Sequence, residues 1–358
     1  MSTASAQTTL ASSGRPAKDE SLLQLMRPLI PFLERADVTE VSINRPGEVL
    51  TKTFEGWTAH EVAQLSASYL QALATAVVVY NGIQPKSRVS VIYPGGLRGE
   101  IVMPPAVIDG TVAFAIRKHS VTTKTTAELE AQGAFDDWAD VSFNKPTAEE
   151  CARLLTVQDF TRLEPFEIEL LRLKRDGTIR EFLEACVMHK RNIIISGKTG
   201  SGKTTVARSL IEKVPYDERL ITIEDVHELF IENHPNRVHM LYGYGAGRIT
   251  ADECLTSCMR LSPDRIFLAE LRGNEAWEYL NSLNTGHPGS ITTTHANNAL
   301  QTFERVATLI KKSDVGRQLD MEMIKLVLHT TIDVVLYFKD RKLIEVFYDP
   351  VFAKSKLA

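Results

Sequence analysis

The chain has 358 residues, of which 44% are hydrophobic and 24% charged, a composition typical of globular domains and long enough for two of them. Its net charge of −4 argues against a protein whose main task is to coat nucleic acid, because such proteins usually carry a basic domain. No uncharged apolar run reaches the roughly 20 residues that a membrane-spanning helix needs, so any membrane association is expected to be peripheral.

Residues 1–20 are rich in Ser, Ala and Thr and lack the apolar core of a secretory signal, so they are predicted to be a disordered tail. The cysteines form no CxxC pair, and no His or second Cys pair stands at the spacing of a metal site. Cys254 and Cys258, four positions apart, are therefore predicted to be small buried residues, and the low number of cysteines fits a reducing compartment. The four cysteines of the chain are Cys151, Cys186, Cys254 and Cys258.

Residues 21–120 are predicted to form a small α+β domain. Apolar residues recur at helical spacing over 22–33, where two prolines interrupt the pattern, and over 65–79. Short runs of alternating apolar residues, separated by turns rich in Pro and Gly, predict a meandering antiparallel sheet. These runs are 38–44, 88–92, 98–103 and 111–117.

Residues 121–164 are Thr-rich and then acidic and polar, so they are predicted to be an interdomain linker with short helices at most. From residue 165 to 358, helical patterns alternate with short apolar runs of the kind found in strands buried on both faces. This alternation predicts a second domain with a parallel α/β sheet. Its strands are predicted at 193–195, 220–223, 265–269, 290–294 and 332–338.

The segment from Gly197 to Thr204 has the G-x-x-x-x-G-K-T pattern of a phosphate-binding loop, and it lies between a predicted strand and a predicted helix. Backbone N–H groups and the helix N-terminus would bind phosphate oxygens. Lys203 would bring a positive charge to the phosphates, and Thr204 would offer a hydroxyl to Mg²⁺. A flexible glycine-rich loop is the alternative. The predicted nucleotide-binding residues here are Gly197, Lys198, Thr199, Gly200, Ser201, Gly202, Lys203, Thr204 and Thr205.

Two acids follow buried strands, at the edge where ligands bind in parallel sheets. Glu224, after strand 220–223, is predicted to orient or deprotonate the attacking water; capping of the next segment is its alternative. Glu270, after strand 265–269, is predicted to contact Mg²⁺ through water or to activate the nucleophilic water. Pairing with Arg272 is the alternative for Glu270.

Two histidines, His287 and His295, bracket the strand predicted at 290–294. A lone histidine on a strand is usually a satisfied core group, and that interpretation is favoured on the residues alone. A histidine near a γ-phosphate could instead report the state of the nucleotide.

Taken together, these four motifs resemble the traffic ATPases of the type II/type IV secretion superfamily. They correspond to its Walker A loop (197–204), Asp box (from 223), Walker B motif (269–273) and His box (286–296). Within it, the chain is most similar to the ATPases of type IV secretion and conjugation machines. Type II secretion relatives often carry a four-cysteine metal-binding element, and this chain has none.

The resemblance implies a RecA-like P-loop domain and a homohexameric ring that hydrolyses ATP with Mg²⁺. It places His295 among the catalytic residues and implies that Arg98 and Arg117 of the N-terminal domain reach the γ-phosphate. Nucleotide would bind between the two domains of a protomer. A linker as long as 121–164 led us to the hypothesis that domains are exchanged between subunits.

The predicted function is ATP-driven assembly of a conjugative pilus and transfer of DNA or protein substrates. The resemblance implies partners among the inner-membrane components of the secretion machine and its coupling ATPase, at the cytoplasmic face of the bacterial inner membrane. No sequence-specific nucleic-acid binding is expected. The alternatives are a type IV pilus or type II secretion motor, a nucleic-acid translocase on a P-loop core, and a nucleotide-binding scaffold.

Overall fold

A computed structural model describes residues 16–53, 55–118, 123–243 and 247–357. The chain divides into two compact units, Met1–Ser120 with Gly243–Arg248, and Val121–Tyr242 with Ile249–Ala358. A disordered tail is predicted over 1–20. Residues 1–15 of it lie outside the described residues, and residues 16–20 belong to a helix. None of the helices in the described ranges combines the length and apolar content that crossing a bilayer requires.

The first unit is an antiparallel six-stranded sheet with helices, as the predicted α+β class requires. The strand order is β3-β2-β1-β6-β5-β4. Its helices are α1 (Pro16–Met26), α2 (Ile30–Leu33) and α3 (Ala67–Tyr80). Its strands are β1 (Glu40–Ile43), β2 (Glu48–Lys52), β3 (Trp57–Glu61), β4 (Arg88–Ile92), β5 (Arg98–Val102) and β6 (Ala113–Arg117).

One face of this sheet forms the core of the first unit. Alternate strand residues such as Val41, Ile101 and Ile116 are buried there with Leu70 and Leu73 of α3. The sequence analysis missed β2 and β3. The burial pattern of β3 explains its omission, because this edge strand is almost wholly exposed and so carries no apolar alternation.

The second unit is the predicted α/β domain, with eight strands and ten α-helices in the described residues. Its helices are α4 (Thr126–Ala131), α5 (Ala148–Thr156), α6 (Pro165–Arg175), α7 (Ile179–Met188), α8 (Lys203–Ile211), α9 (Ala251–Cys258), α10 (Glu275–Asn284), α11 (Ala299–Lys312), α12 (Met321–Thr331) and α13 (Pro350–Ser355). Its strands are β7 (Ala139–Asp140), β8 (Ile193–Gly197), β9 (Leu220–Glu224), β10 (Arg237–Leu241), β11 (Arg265–Leu268), β12 (Ile291–Thr294), β13 (Val334–Lys339) and β14 (Lys342–Tyr348).

These strands form two ladders, β10-β9-β11 and β12-β8-β13-β14-β7, and all their pairs are parallel except β13 with β14. Side-chain hydroxyls connect the ladders between β11 and β12. Thr293 Oγ1 donates to the Ala269 carbonyl at 2.8 Å, and Thr294 Oγ1 donates to the Leu271 carbonyl at 3.1 Å. Strand β12 therefore lies between β8, which leads into the phosphate loop, and β11, which leads to Glu270.

Helices cover both faces of the central strands, which is why those strands are continuously apolar. Ile193 and Ile195 of β8 pack in one core with residues of α6, α7 and α8, whereas Ile194 packs in a second core with residues of α9 to α12. All four cysteines are buried and free, which confirms the prediction of burial for Cys254 and Cys258.

The described residues of the segment predicted over 121–164 as a linker do contain short helices, as that prediction allowed, but they belong to the second unit rather than to a separate connection. They contain α4, β7 and α5, and the side chains of Leu129, Phe135 and Cys151 are buried in a core of the second unit. Buried Lys174 holds the β7 region: its Nζ donates to Asp140 Oδ2 at 2.9 Å and to Ser142 Oγ at 2.8 Å. Polar composition misled the prediction because hydrogen bonds, rather than a long apolar pattern, fix this segment. The hypothesis of domain exchange between subunits stays a prediction.

Candidate nucleotide-binding site

The phosphate loop joins β8 to α8, which is the context that its sequence pattern requires. Gly197 and Gly202 have φ values of 148° and 93°, in the range that favours glycine. A Cβ at Gly197 would lie 2.1 Å from the Phe338 carbonyl oxygen, so the backbone itself excludes a side chain there. Lys198, Thr199 and Gly200 are exposed at the tip of the loop.

Lys203, the first residue of α8, folds back over this loop. Its side chain is buried, and Nζ donates to the carbonyls of Gly197 and Lys198, each at 2.8 Å. The hydroxyl of buried Ser201 has no hydrogen-bond partner in the described part of the chain. Thr204 and Thr205 are half-buried in the first turn of α8. The Lys203 ammonium and the Ser201 hydroxyl thus lie beside the N-terminus of α8. This arrangement suits a bound phosphate.

Glu270 is connected directly to the phosphate loop through His295. Its Oε1 lies 3.1 Å from His295 Nε2, and His295 Nδ1 lies 3.1 Å from the Gly197 carbonyl oxygen. The other carboxylate oxygen, Oε2, accepts from Arg272 Nη2 at 2.6 Å. Burial alone would raise the pKa of Glu270, but the hydrogen bonds from His295 and Arg272 outweigh it and lower that pKa to about 2. The carboxylate is therefore anionic at neutral pH.

Arg272 joins this acid to a second one that the sequence analysis did not select. Its Nη1 donates to Asp225 Oδ2 at 2.6 Å while Nη2 holds Glu270. Pairing of Glu270 with Arg272 had been considered as an alternative to a functional role. The structure shows that the pair forms and that His295 and Gly197 belong to the same network. The sequence signal for Asp225 was its position directly after Glu224, an acid at the end of a strand.

Glu224 lies in a different environment from the one expected of a water-activating acid. Its side chain is fully buried, and Oε2 accepts from the backbone N–H groups of Glu228 and Leu229 at 2.6 and 2.7 Å. Its Oε1 accepts from Thr222 Oγ1 at 2.8 Å and lies 3.1 Å from His227 Nδ1. Burial would raise the pKa of Glu224, but the hydrogen bonds from His227, His239 and the two backbone N–H groups hold it well below its usual range. The contacts assign Glu224 to fixing the loop after β9.

The two histidines of the His box lie at opposite ends of β12. His287 precedes the strand, and its Nδ1 lies 2.9 Å from the Pro263 carbonyl oxygen. His295 follows the strand and contacts both Glu270 and the phosphate loop. His287 is thus a half-buried histidine satisfied by a backbone carbonyl, whereas His295 belongs to the candidate site.

Arg98 and Arg117 are direct cross-strand partners on β5 and β6, so the expectation of neighbouring strands is confirmed. Both arginines lie on the sheet face opposite the core. Glu40 of β1 is the cross-strand partner of Arg117, with 3.6 Å between Glu40 Oε2 and Arg117 Nη2. Like charges directly opposite each other destabilise a sheet. A shared anionic ligand would offset this repulsion.

Comparisons with known proteins give a consistent result. Residues 148–339 match the family described as "Type II/IV secretion system protein". The chain is 40% identical over 340 residues to the type IV secretion system protein VirB11 of Brucella suis, with 91% of this chain and 89% of that protein covered. It is 33% identical over 329 residues to protein VirB11 of Agrobacterium tumefaciens, with 90% of each covered.

Solved structures agree with these relatives. The VirB11 ATPase of the Brucella suis type IV secretion system, crystallised with sulphate, matches with a TM-score of 0.52 at 38% identity, covering 95% of this chain and 98% of that one. The pilus retraction motor PilT with bound ADP matches with a TM-score of 0.54 at 18% identity, covering 87% and 77%. The likeness to PilT shows the fold alone.

Proposed function

We propose, from the premise that this chain belongs to the type II/IV secretion system protein family and is an ATP-hydrolysing enzyme of type IV secretion, that the network joining Glu270, His295 and Gly197 is its hydrolytic centre. One observation carries the proposal: His295 holds the Glu270 carboxylate at 3.1 Å and the carbonyl of the phosphate loop at 3.1 Å. Transfer of a phosphoryl group to water requires a group that positions the attacking water. A carboxylate fixed in this way can do so.

The individual roles follow from the contacts. Lys203 exchanges its two carbonyl acceptors for phosphate oxygens and neutralises their charge. The anionic carboxylate of Glu270 orients the attacking water. Arg272 keeps this carboxylate in place by donating a hydrogen bond to its Oε2. His295 positions Glu270 against the loop. Glu224 holds the loop that carries Asp225 and touches the reaction only through that loop.

The residues of the site also fit Mg²⁺, which prefers oxygen ligands such as hydroxyls, carboxylates and water. Thr204, half-buried in the first turn of α8, and the Glu270 carboxylate are the groups that would hold the ion, the latter through water. When bound, Mg²⁺ supplies charge neutralisation at the phosphates.

Arg98 and Arg117 are proposed as further phosphate ligands. A guanidinium binds phosphate oxygens in bidentate geometry, and two of them lie side by side on β5 and β6, where Glu40 partly balances the charge of Arg117. Binding of a phosphate would relieve their mutual repulsion, so the position of the first unit would respond to the state of the nucleotide.

At the level of the cell, the proposed assembly is a homohexamer at the cytoplasmic face of the bacterial inner membrane. It would act with inner-membrane components of the secretion machine and its coupling ATPase. ATP hydrolysis would drive pilus assembly and the transfer of DNA or protein. The relatives named for type IV secretion, at 38–40% identity over about nine tenths of the chain, support this system over a pilus or type II motor.

Lys203→Ala is the direct test of the proposed centre. Loss of the buried ammonium is expected to lower ATP turnover at least about 100-fold, because a charge that stabilises the transition state is removed. Lys312→Ala, which alters an exposed lysine at the end of α11, is the matched control and should keep wild-type turnover. Full activity in Lys203→Ala would overturn the assignment.

A further inference from the structure

A cluster of one acid and two histidines lies beyond the residues assigned to hydrolysis. Glu224 ends β9, His227 follows three residues later, and His239 lies on the neighbouring strand β10, where it pairs in register with Thr222. One ligand atom from each of the three residues lies within 4.8 Å of the others. Two separate backbone segments therefore bring nitrogen and oxygen ligands to one point.

The separations within this cluster match those of a metal site. Glu224 Oε1 lies 3.1 Å from His227 Nδ1 and 3.6 Å from His239 Nδ1. Ligands at about 2.0–2.1 Å from a tetrahedral Zn²⁺ are separated from each other by about 3.4 Å. The observed distances lie on either side of this value, so small side-chain rotations would suffice to seat an ion.

The carboxylate is prepared for this role by its other contacts. Its Oε2 is held by two backbone N–H groups, which turns Oε1 toward the histidines. Thr222 Oγ1 donates to Oε1 at 2.8 Å and supports it from the sheet side. Outer hydrogen bonds of this kind orient metal ligands and raise metal affinity. Phe230 packs against the His227 ring, with 4.5 Å between centroids, and gives the site an apolar wall.

Without a metal, the same atoms form a self-consistent hydrogen-bond cluster. Both Nδ1 atoms then carry hydrogen, and His227 donates to Glu224 while His239 donates to Thr222 Oγ1 at 2.8 Å. An ion would take the place of these two ring hydrogens, and the hydrogens would move to the Nε2 atoms. The side chains of His227 and His239 are 37% and 25% exposed, so solvent has access and a fourth ligand position is open to water.

We propose that Glu224, His227 and His239 form a binding site for a divalent transition metal such as Zn²⁺, and that the ion fastens strand β10 to the loop after β9. Imidazole nitrogens favour this class of ion, whereas Mg²⁺ prefers oxygen ligands. The site is thus chemically distinct from the one proposed for the Mg²⁺ of the nucleotide. Its test is also separate from that of the hydrolytic mechanism, because metal binding is measured without nucleotide.

The test uses the full chain, freed of metal with a chelator and titrated with Zn²⁺ in a calorimeter. One equivalent is expected to bind, and Zn²⁺ should raise the melting temperature of the wild-type protein. His227→Gln and His239→Gln should each weaken binding by at least about 10–100-fold. His189→Gln, which alters a histidine on the second unit away from the cluster, is the control and should bind as the wild type does.

Equal Zn²⁺ affinity in the wild type and in the double variant His227→Gln/His239→Gln would overturn the proposal. Circular dichroism of the metal-free variants checks that they are folded. If the double variant does not fold, the X-ray absorption spectrum of the Zn²⁺-loaded wild type decides instead. Two imidazole ligands would support the site, and fewer than two would refute it.

Discussion

At the scale of single residues, the two strand-end acids show how environment separates similar side chains. Glu224 ends β9 and Glu270 follows β11, and both strands are buried in the same ladder. The first is fully buried and receives two backbone N–H groups, whereas the second is 16% exposed and is held by side chains at the phosphate loop. Only Glu270 keeps access to a reacting group, so it carries the proposed chemistry.

The lowered pKa of Glu270 predicts a dependence of stability on pH. Its pKa falls from 4.5 to about 2 on folding, so its contribution is complete above pH 4.5 and is lost as the pH falls toward 2. Between pH 5 and 3.5, the free energy of unfolding of the wild type should fall by about 1 kcal/mol more than that of Glu270→Gln. Urea denaturation of nucleotide-free protein at several pH values measures this difference.

Glu232→Gln provides the matched control, because Glu232 is an exposed acid in the segment between β9 and β10. This variant should retain the wild-type dependence on pH. An identical slope for Glu270→Gln and the wild type would contradict the arrangement of His295 and Arg272 around the carboxylate.

At the scale of elements, the segment from α4 to α5 is an integral part of the second unit. Strand β7 extends the larger ladder beside β14, and Val141 N donates to the Val346 carbonyl at 3.0 Å. Lys174 also anchors the segment, since its buried ammonium donates to the Tyr348 carbonyl at 2.8 Å. A short strand is stable here because a buried charge network fixes it.

Lys174→Met is expected to lower the free energy of unfolding by about 2–3 kcal/mol. This value lies below the cost of breaking a fully buried pair, because the Asp140 side chain is 23% exposed. Chemical denaturation measures the loss, and hydrogen exchange should show that residues 139–145 open first. Lys145→Met, at an exposed lysine of the same segment, should change stability by less than about 0.5 kcal/mol. Unchanged exchange in Lys174→Met would refute the anchoring role.

At the scale of the whole molecule, the proposed assembly is a ring of six copies. We expect light scattering after size exclusion, with ATP analogue and Mg²⁺, to give about 240 kDa, six times the 39.9 kDa chain. Negative-stain images should show six-fold symmetry. A mass of one or two chains at every protein concentration would contradict the hexamer while leaving the hydrolytic centre of each chain untested by that result.

Local patterns in the sequence were sufficient to predict the strand and helix that flank the phosphate loop and the position of acids at the ends of β9 and β11. Each of these features depends on neighbours close in the chain: glycines that accept positive φ, a following helix and apolar runs. The antiparallel sheet of the first unit was likewise predicted in four of its six strands. Its edge strand β3 escaped because exposed strands carry no hydrophobic signal.

Tertiary structure alone decided which of these residues act together. His295 meets Gly197 across 98 positions of sequence, and Arg272 meets Asp225 across 47, because parallel strands end at one edge of the sheet. The burial of Glu224, the role of His295 rather than His287, and the folding of residues 123–164 also depend on distant partners. Sequence spacing does not encode such contacts, since they arise only when strands far apart in the chain become neighbours.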